Sequence, residues 1–439
     1  MVPGRIRAVA TIAFVAALMP AAAAAQPAPL FDPSDRLFDD RLLHDLYVTI
    51  SDRDWTTLKQ HYLEFTYYSC DLTWNDVTVR NIGIRSYGTG SRRPAKPGLR
   101  FDFDRFTSNQ TFLGQKSFIL RNNSQDASGM RKRLSMLMFR RMGMIAQREV
   151  HARLFVNNVY SGLFTIVESI DKNFLLKQFG ENTGHLYEYH FNNSAPVPFN
   201  FGYPGSDPGI YAPAPFKPQT LPLDPQGDTI ERFFWTINQA SDAVWRSAMD
   251  GYLDLRRFMR QLGIENFLGE EDGVTGDYGP NNFWLYRFAN TTRFVFLPFD
   301  KSNTFWNTPY FIFQNISTGI PSHRNLLVLR ALTYTDLRDL YEDTILECAN
   351  SIMADPALTP NGLVPKGTTL VPAPPGRPGW LETEIAREYA QIRQAALDDP
   401  VKPYTNDQFE QAVRDLTDFA RRRADFVRQQ VADDRAQRR

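Results

Sequence analysis

Hydrophobic and polar residues alternate along short runs of the chain as far as about residue 190. Examples are Leu46–Ile50 and Lys96–Asp104, whose period of two is typical of β-strands with one solvated face. From residue 229 onward the apolar residues recur at helical spacing instead. The pattern therefore predicts an α+β protein, with a strand-rich part over 44–190 and a mainly helical part over 229–435. The predicted helices of the second part span 229–250, 254–268, 326–332, 336–353, 381–396 and 407–431.

Three further segments lack these patterns. Residues 1–26 contain a basic start, the apolar run Ala8–Met19 and the small residues Ala21–Ala25, as in a secretory signal peptide. Residues 27–43 are predicted to be a linker, and residues 191–228 a long excursion rich in Pro, Gly and aromatic residues. We therefore expect an exported protein, secreted or in the periplasm or cell envelope, without a transmembrane segment after signal cleavage.

One hairpin interrupts the helical part. The apolar runs Phe283–Tyr286 and Phe294–Pro298 are separated by a polar turn, which predicts two paired strands. Residues just before the first strand and just after the second are neighbours in such a hairpin. Oxygen ligands grouped in this way suit Mg²⁺ or Mn²⁺, although Asp, Asn and Gly also occur in ordinary loops. The candidates are Asp272 or Asp277, Asn281 or Asn282, and Asp300.

Two basic stretches lie in the strand-rich part. The glycines, hydroxyls and arginines of Gly88–Arg93 suit a phosphate-binding loop, and a plain flexible turn is the alternative. The second stretch is the predicted helix Met130–Met142, for which Ser128 is the expected N-cap. Leu134, Leu137, Met138 and Met142 form its apolar stripe, so we expect its Arg and Lys residues to face solvent.

Composition narrows the possible functions. The 439 residues include 33 Phe, 18 Tyr and 7 Trp, enough for a large aromatic core, and the formal net charge is zero. A neutral chain has no general attraction to nucleic acid, so we expect no nucleic-acid partner. Cys70 and Cys348 form either a disulfide or two buried thiols. No Cys-x-x-Cys or His-Glu-x-x-His motif occurs, which argues against zinc.

Several segments, in order along the chain, resemble the CotH kinase family of atypical, secreted kinase-like proteins. They include the hairpin segments Asn282–Tyr286 and Leu297-Pro-Phe-Asp300, and also Val79–Ser91, Lys96–Asp104, Arg121–Ser128, Phe155–Asp171 and Gly184–Tyr187. The resemblance implies a two-lobed, protein-kinase-like fold with a strand-rich N-lobe and a helical C-lobe. It also implies transfer of the γ-phosphate of ATP to serine or threonine of a protein substrate, with Mg²⁺ or Mn²⁺.

The resemblance also assigns roles to single residues. Asp272 matches the catalytic-loop aspartate, with Asp277 as the competing candidate, and Asn282 and Asp300 match the metal ligands. Three further residues are expected at the nucleotide: Lys96 or Arg100 at the phosphates, and Glu168 where the strand lobe meets the hinge.

Two positions depart from the family pattern. Ser302 stands where a second acidic or amide metal ligand is common, and Glu188 stands where the family has a lysine. These departures leave two hypotheses open. The chain is an exported, metal-dependent protein kinase, or it is a catalytically inactive kinase-like envelope or surface protein that acts as a binding or assembly module.

Overall fold

The computed structural model describes residues 32–190 and 199–438. This part of the chain contains eleven strands and ten α-helices. The strands are β1 (His44–Ile50), β2 (Tyr68–Trp74), β3 (Val77–Tyr87), β4 (Gly98–Asp102), β5 (Ser117–Arg121), β6 (Glu149–Val156), β7 (Val159–Glu168), β8 (His185–Tyr189), β9 (Phe216–Pro218), β10 (Phe283–Arg287) and β11 (Phe294–Pro298). The helices are α1 (Asp52–Gln60), α2 (Arg131–Arg141), α3 (Lys172–Phe179), α4 (Gly227–Gln239), α5 (Asp242–Met249), α6 (Leu255–Leu268), α7 (Leu326–Ala331), α8 (Thr335–Ile352), α9 (Trp380–Leu397) and α10 (Asn406–Gln437).

The first seven strands close into a barrel in the order β1-β2-β3-β4-β5-β7-β6. A parallel pairing of β1 with β6 completes the ring, and the other neighbours are antiparallel. Because side chains alternate along each strand, one set points into the barrel and forms an apolar core. Leu46, Phe101 and Phe118 are fully buried members of that core.

A second sheet of four strands has the order β11-β10-β8-β9. The predicted hairpin is confirmed, with Phe283 opposite Pro298 and Arg287 opposite Phe294. β8 lies within the strand-rich part predicted over 44–190, yet it pairs with β10 rather than with a barrel strand. Both sheets occur beside ten helices, so the predicted α+β class is confirmed.

The helices form a core of their own with one face of the second sheet. The helix predicted over 229–250 is two helices, because Ala240 and Ser241 are extended and interrupt it. α10 continues to Gln437 rather than ending near 431, and Arg435 and Arg438 at its end bind the buried carboxylate of Glu342. The end of the C-terminal helix is thus fixed to α8.

Helix α2 differs most from its prediction. Its N-cap is Met130, without a side-chain bond, so the predicted cap by Ser128 is wrong. The Arg131 amide instead donates to Asp126 at 2.8 Å. The predicted solvated basic face is also wrong, because Lys132 and Arg133 are buried. Every buried cation needs a compensating group, and for Lys132 and Arg133 these groups are carboxylates of other segments.

The remaining predictions concern the terminal segments and the two cysteines. The predicted signal peptide, residues 27–31 of the predicted linker and residues 191–198 of the excursion lie outside the described residues. Within the linker range, Leu37 and Phe38 are buried against the barrel core. Cys70 lies in that core and Cys348 among the helices, and both are free thiols. No helix among the described residues has the length and apolar character needed to cross a bilayer.

Candidate functional site

A cleft of about 500 Å³ lies where the loop after β3 faces the hairpin of the second sheet. Residues from distant parts of the sequence line this cleft. The predicted hairpin residues among them are Asp272, Asn281, Asn282 and Asp300, and the predicted loop contributes Gly88, Thr89, Gly90 and Ser91. The fold therefore brings two separately predicted segments to one site.

Asp272 is held in place by the amides that precede β10. Asn281 Nδ2 donates to Asp272 Oδ1 at 2.9 Å, and Asn282 Nδ2 donates to Asp272 Oδ2 at 2.9 Å. Asn282 adopts a left-handed backbone conformation with φ of +52°, which bends the chain into β10. Burial raises the pKa of Asp272, the bond from Asn281 opposes this rise, and the nearby charge of Asp300 adds to it. The carboxylate is therefore fixed at the cleft wall and electrostatically coupled to Asp300.

Asp300 follows β11 and binds two cations. Arg121 Nη2 lies 2.6 Å from Asp300 Oδ2, and Lys132 Nζ lies 3.2 Å from Asp300 Oδ1. Burial alone would raise the pKa of Asp300, but Arg121 and then Lys132 outweigh it and lower that pKa below its ordinary value. Asp300 is therefore a carboxylate anion flanked by positive charge at the cleft.

Lys132 has a second acidic neighbour inside the protein. Its Nζ lies 3.9 Å from Glu149 Oε1, and neither carboxylate oxygen of Glu149 has a hydrogen-bond partner among the described residues. Burial raises the pKa of Glu149 to about 7, and Lys132 limits that rise. Burial also lowers the pKa of Lys132, and Arg121 lowers it further while Asp300 raises it. Lys132 is thus placed between Asp300 and Glu149.

The loop after β3 forms another wall of the cleft. Gly88 has φ of +112°, and a Cβ atom there would lie 2.7 Å from Ser91 Oγ, so glycine is required. The side chain of Arg92 donates to the carbonyl oxygens of Gly88 and Leu63 rather than pointing into the cleft. Arg92 therefore fixes the loop from behind, while the loop residues themselves border the cleft.

Asp277 is placed differently from Asp272. Its carboxylate accepts a 2.6 Å hydrogen bond from Asn315 Nδ2, and Asp277 is not a lining residue of the cleft. Between the two candidates for the catalytic position, Asp272 is the one whose side chain borders the cleft.

The three residues expected at the nucleotide do not line the cleft either. Lys96 Nζ lies 2.6 Å from Asp399 Oδ2, and both side chains are buried. Arg100 donates to Ser117 Oγ at 3.1 Å, and Glu168 is paired with Arg148 at 2.5 Å. The structure thus brings Asp272, Asn282 and Asp300 together and leaves Lys96, Arg100 and Glu168 outside the cleft wall.

The sequence patterns did not reveal the two cations that pair with Asp300, which are Arg121 and Lys132. Arg121 stands at the end of β5, inside the segment Arg121–Ser128 that resembles the family. Lys132 lies among Arg131 and Arg133 on a helix that is buried on nearly every side. Basic residues at both ends of a helix with an apolar middle were the available signal, because a buried helix can retain cations only where acids meet them.

Both departures from the family pattern lie at the cleft. Ser302 and its neighbour Asn303 border it just beyond Asp300. Glu188 borders it from β8, where Gln219 Nε2 donates to Glu188 Oε2 at 3.1 Å. Lys217 of the adjoining strand β9 also lines the cleft. A cation is therefore present beside Glu188, although at a different position of the chain.

The cleft contains oxygen atoms of the kind that bind metal ions. Within residues 32–190 and 199–438, no group of three His, Cys, Asp or Glu residues is arranged to hold a metal ion. The cleft supplies two carboxylates, Asp272 and Asp300, and the side-chain oxygen of Asn282. These are hard oxygen donors of the kind that Mg²⁺ and Mn²⁺ bind, usually together with waters and substrate phosphates. The donor chemistry fits such an ion.

Comparison with known proteins identifies the family. The family described as CotH kinase protein matches residues 84–361, which include the loop after β3, Asp272, Asn282 and Asp300. The inner spore coat protein H of Bacillus subtilis (strain 168) is 20% identical over 373 residues, covering 82% of this chain and 87% of that protein. Among solved structures, the Helicobacter pylori proinflammatory kinase CtkA gives a TM-score of 0.29 at 9% identity, covering 79% of this chain and 94% of that one. The chain belongs to the CotH kinase protein family.

Proposed function

We propose that the protein is an exported protein kinase that transfers the γ-phosphate of ATP to serine or threonine, with Mg²⁺ or Mn²⁺. The observation that carries the proposal is the common cleft of Asp272, Asn282 and Asp300 with the loop Gly88–Ser91. The family membership and the oxygen donors support it. In this proposal the barrel and the helical part act as the two lobes of an atypical kinase, with the cleft between them.

The phosphates of ATP are proposed to lie between the loop after β3 and Asp300. Phosphoryl transfer depends on positioning and on neutralising charge more than on covalent chemistry. Arg121 and Lys132 already concentrate positive charge at this place. A Mg²⁺ or Mn²⁺ ion held by Asn282 and Asp300 would supply further neutralisation of the phosphate oxygens. The two cations would then interact with phosphate as well as with Asp300.

Asp272 is proposed to accept the hydrogen bond of the substrate hydroxyl and orient it toward the phosphate. Its two oxygens are fixed by Asn281 and Asn282, and its raised pKa makes it a better proton acceptor than an exposed aspartate. Glu149 is proposed to position Lys132. When Asp300 binds a metal ion, Glu149 remains as an acidic neighbour of Lys132. The protein substrate is expected in the compartment to which the chain is exported.

A specific observation favours a second candidate function, a kinase-like binding or assembly module without catalysis. Both carboxylate oxygens of Asp300 are paired with cations of the protein itself, and Ser302 occupies the place of another metal ligand. The charge of Asp300 is thus compensated by the protein itself. The similarity to a spore coat protein is compatible with a structural role in an envelope or coat.

The test is transfer of labelled phosphate from γ-³²P-ATP with Mn²⁺, measured as autophosphorylation and on a generic protein substrate. Asp272→Asn should reduce the rate by at least about 100-fold, the lower end of what general-base groups contribute. Asp277→Asn is the matched control, because it removes the same charge five residues away and should retain most of the activity. Absence of labelled phosphate in the wild type would refute the kinase and leave the binding module. A loss confined to Asp277→Asn would refute the role of Asp272.

A further inference from the structure

A second cavity, of about 530 Å³, lies beside the edge strand β11. It is bordered by the end of α3, the first turns of α6 and the turn of the β10–β11 hairpin. Most of its wall is apolar and rich in phenylalanine: Ile145, Phe179, Leu253, Phe258, Phe288, Phe294, Val295 and Phe296. Its size lies within the range of small-molecule sites, about 300–1,000 Å³.

Two polar side chains from α6 interrupt the apolar wall. Gln261 is 2% exposed, and its Nε2 has no hydrogen-bond partner among the described residues. Arg257 lines the same cavity, and its Nε is likewise buried without a partner there. Both unpartnered atoms are hydrogen-bond donors, so both require an acceptor.

The neighbouring arginines show that the situation of Arg257 is unusual. Arg256 and Arg260 on the same helix pair with Asp336 and Glu347, whereas the described residues provide no such pair for Arg257. Asp254 also lines this cavity and its charge acts on Arg257, but its carboxylate accepts the backbone amide of Arg257 at 3.0 Å as the helix cap. Burial lowers the pKa of Arg257, and Asp254 only partly opposes this.

A guanidinium and an amide donor in an apolar cavity define the chemistry of their partner. A buried donor without an acceptor costs about 1–3 kcal/mol, more when the group is charged. A planar guanidinium binds a carboxylate through two parallel hydrogen bonds, and the amide of Gln261 adds a third donor. The exposed cation Arg293 at the rim adds a positive charge at the entrance. These donors fit an anion attached to an apolar body.

We propose that this cavity is a binding site for a small amphipathic monocarboxylate. Its apolar body contacts the phenylalanine wall, and its carboxylate accepts from Arg257 and Gln261. The site is separate in its residues from the cleft of Asp272 and Asp300, so the inference does not depend on phosphate transfer.

The test is isothermal titration calorimetry of the full-length protein with decanoate below its micelle concentration. Wild type should bind saturably, and Arg257→Met should bind at least about tenfold more weakly because it loses a charged hydrogen-bond partner. Arg256→Met is the matched control, since it removes the same charge one residue away on the helix and should bind like wild type. 1-Decanol, which lacks the carboxylate, should bind wild type and Arg257→Met equally.

A folding control accompanies the titration. Without ligand, Arg257→Met should have a Tm equal to or above that of wild type, because it removes a partly buried charge without an ionic partner. Two results would overturn the proposal. One is the absence of saturable decanoate binding to wild type, and the other is equal affinity of decanoate for wild type and Arg257→Met.

Discussion

Replacing Glu149 by Gln should stabilise the protein at high pH and have a much smaller effect at low pH. Glu149 is fully buried, and burial raises its pKa from 4.5 to about 7 despite the nearby Lys132. Between pH 4.5 and 7 the folded protein keeps a proton on Glu149 that the unfolded chain has lost. The folded wild type therefore loses stability through this group as the pH rises over that range, and the loss is complete above pH 7.

The size of this effect follows from the pKa values. A rise of about 2.5 pKa units corresponds to about 3 kcal/mol of unfolding free energy. Glutamine has nearly the same shape but does not ionise, so the variant lacks this pH-dependent loss. The difference in unfolding free energy, Glu149→Gln minus wild type, should increase by about 3 kcal/mol between pH 4 and pH 9. Any constant effect of the amide cancels in this comparison.

Urea denaturation followed by tryptophan fluorescence at a series of pH values measures this difference. Glu347→Gln is the control, because Glu347 is partly exposed and pairs with Arg260 at the surface. Its difference from wild type should vary by less than about 1 kcal/mol across the series. A flat difference for Glu149→Gln would refute the reasoning, as would a variant less stable relative to wild type at pH 9 than at pH 4.

Two further predictions concern buried cations outside the cleft. Lys96→Met should lower the unfolding free energy by about 3–5 kcal/mol, because it leaves Asp399 buried without its cation. Urea denaturation measures this loss. The KM for ATP of the folded variant should equal that of wild type. Arg423→Met should lower it by at least about 3 kcal/mol, because this buried side chain donates to four backbone carbonyl groups. If either variant has the same urea midpoint as wild type, the replaced side chain does not stabilise the fold as described.

Local patterns were sufficient to predict much of the fold. The alternation of apolar and polar residues predicted the hairpin β10–β11, and helical spacing predicted α6 and α8 close to their observed limits. The pairing of β8 with β10 was not predictable in this way, because strand partners are chosen by the whole fold. For the same reason the closure of the barrel by β1 and β6 left no local signal.

The candidate site was predicted where its residues lie close together in sequence. Asp272, Asn282 and Asp300 flank one hairpin, so the hairpin alone places them near each other. Lys132 was missed because its acidic neighbours lie 17 and 168 residues away along the chain. Lys96 was assigned to the nucleotide from its place after the glycine-rich loop, but its partner Asp399 lies 303 residues away. A single sequence can point to a buried cation, but it does not show which distant acid pairs with it.

Asp300 and its neighbours are proposed to hold a metal–nucleotide complex in the cleft. Isothermal titration calorimetry of ATP with and without Mg²⁺ tests this proposal most directly. In wild type Mg²⁺ should strengthen ATP binding by at least about tenfold, or about 1.4 kcal/mol. Asp300→Asn should abolish this strengthening, while Asp277→Asn should preserve it. Absence of ATP binding to wild type, or unchanged metal dependence in Asp300→Asn, would contradict the account.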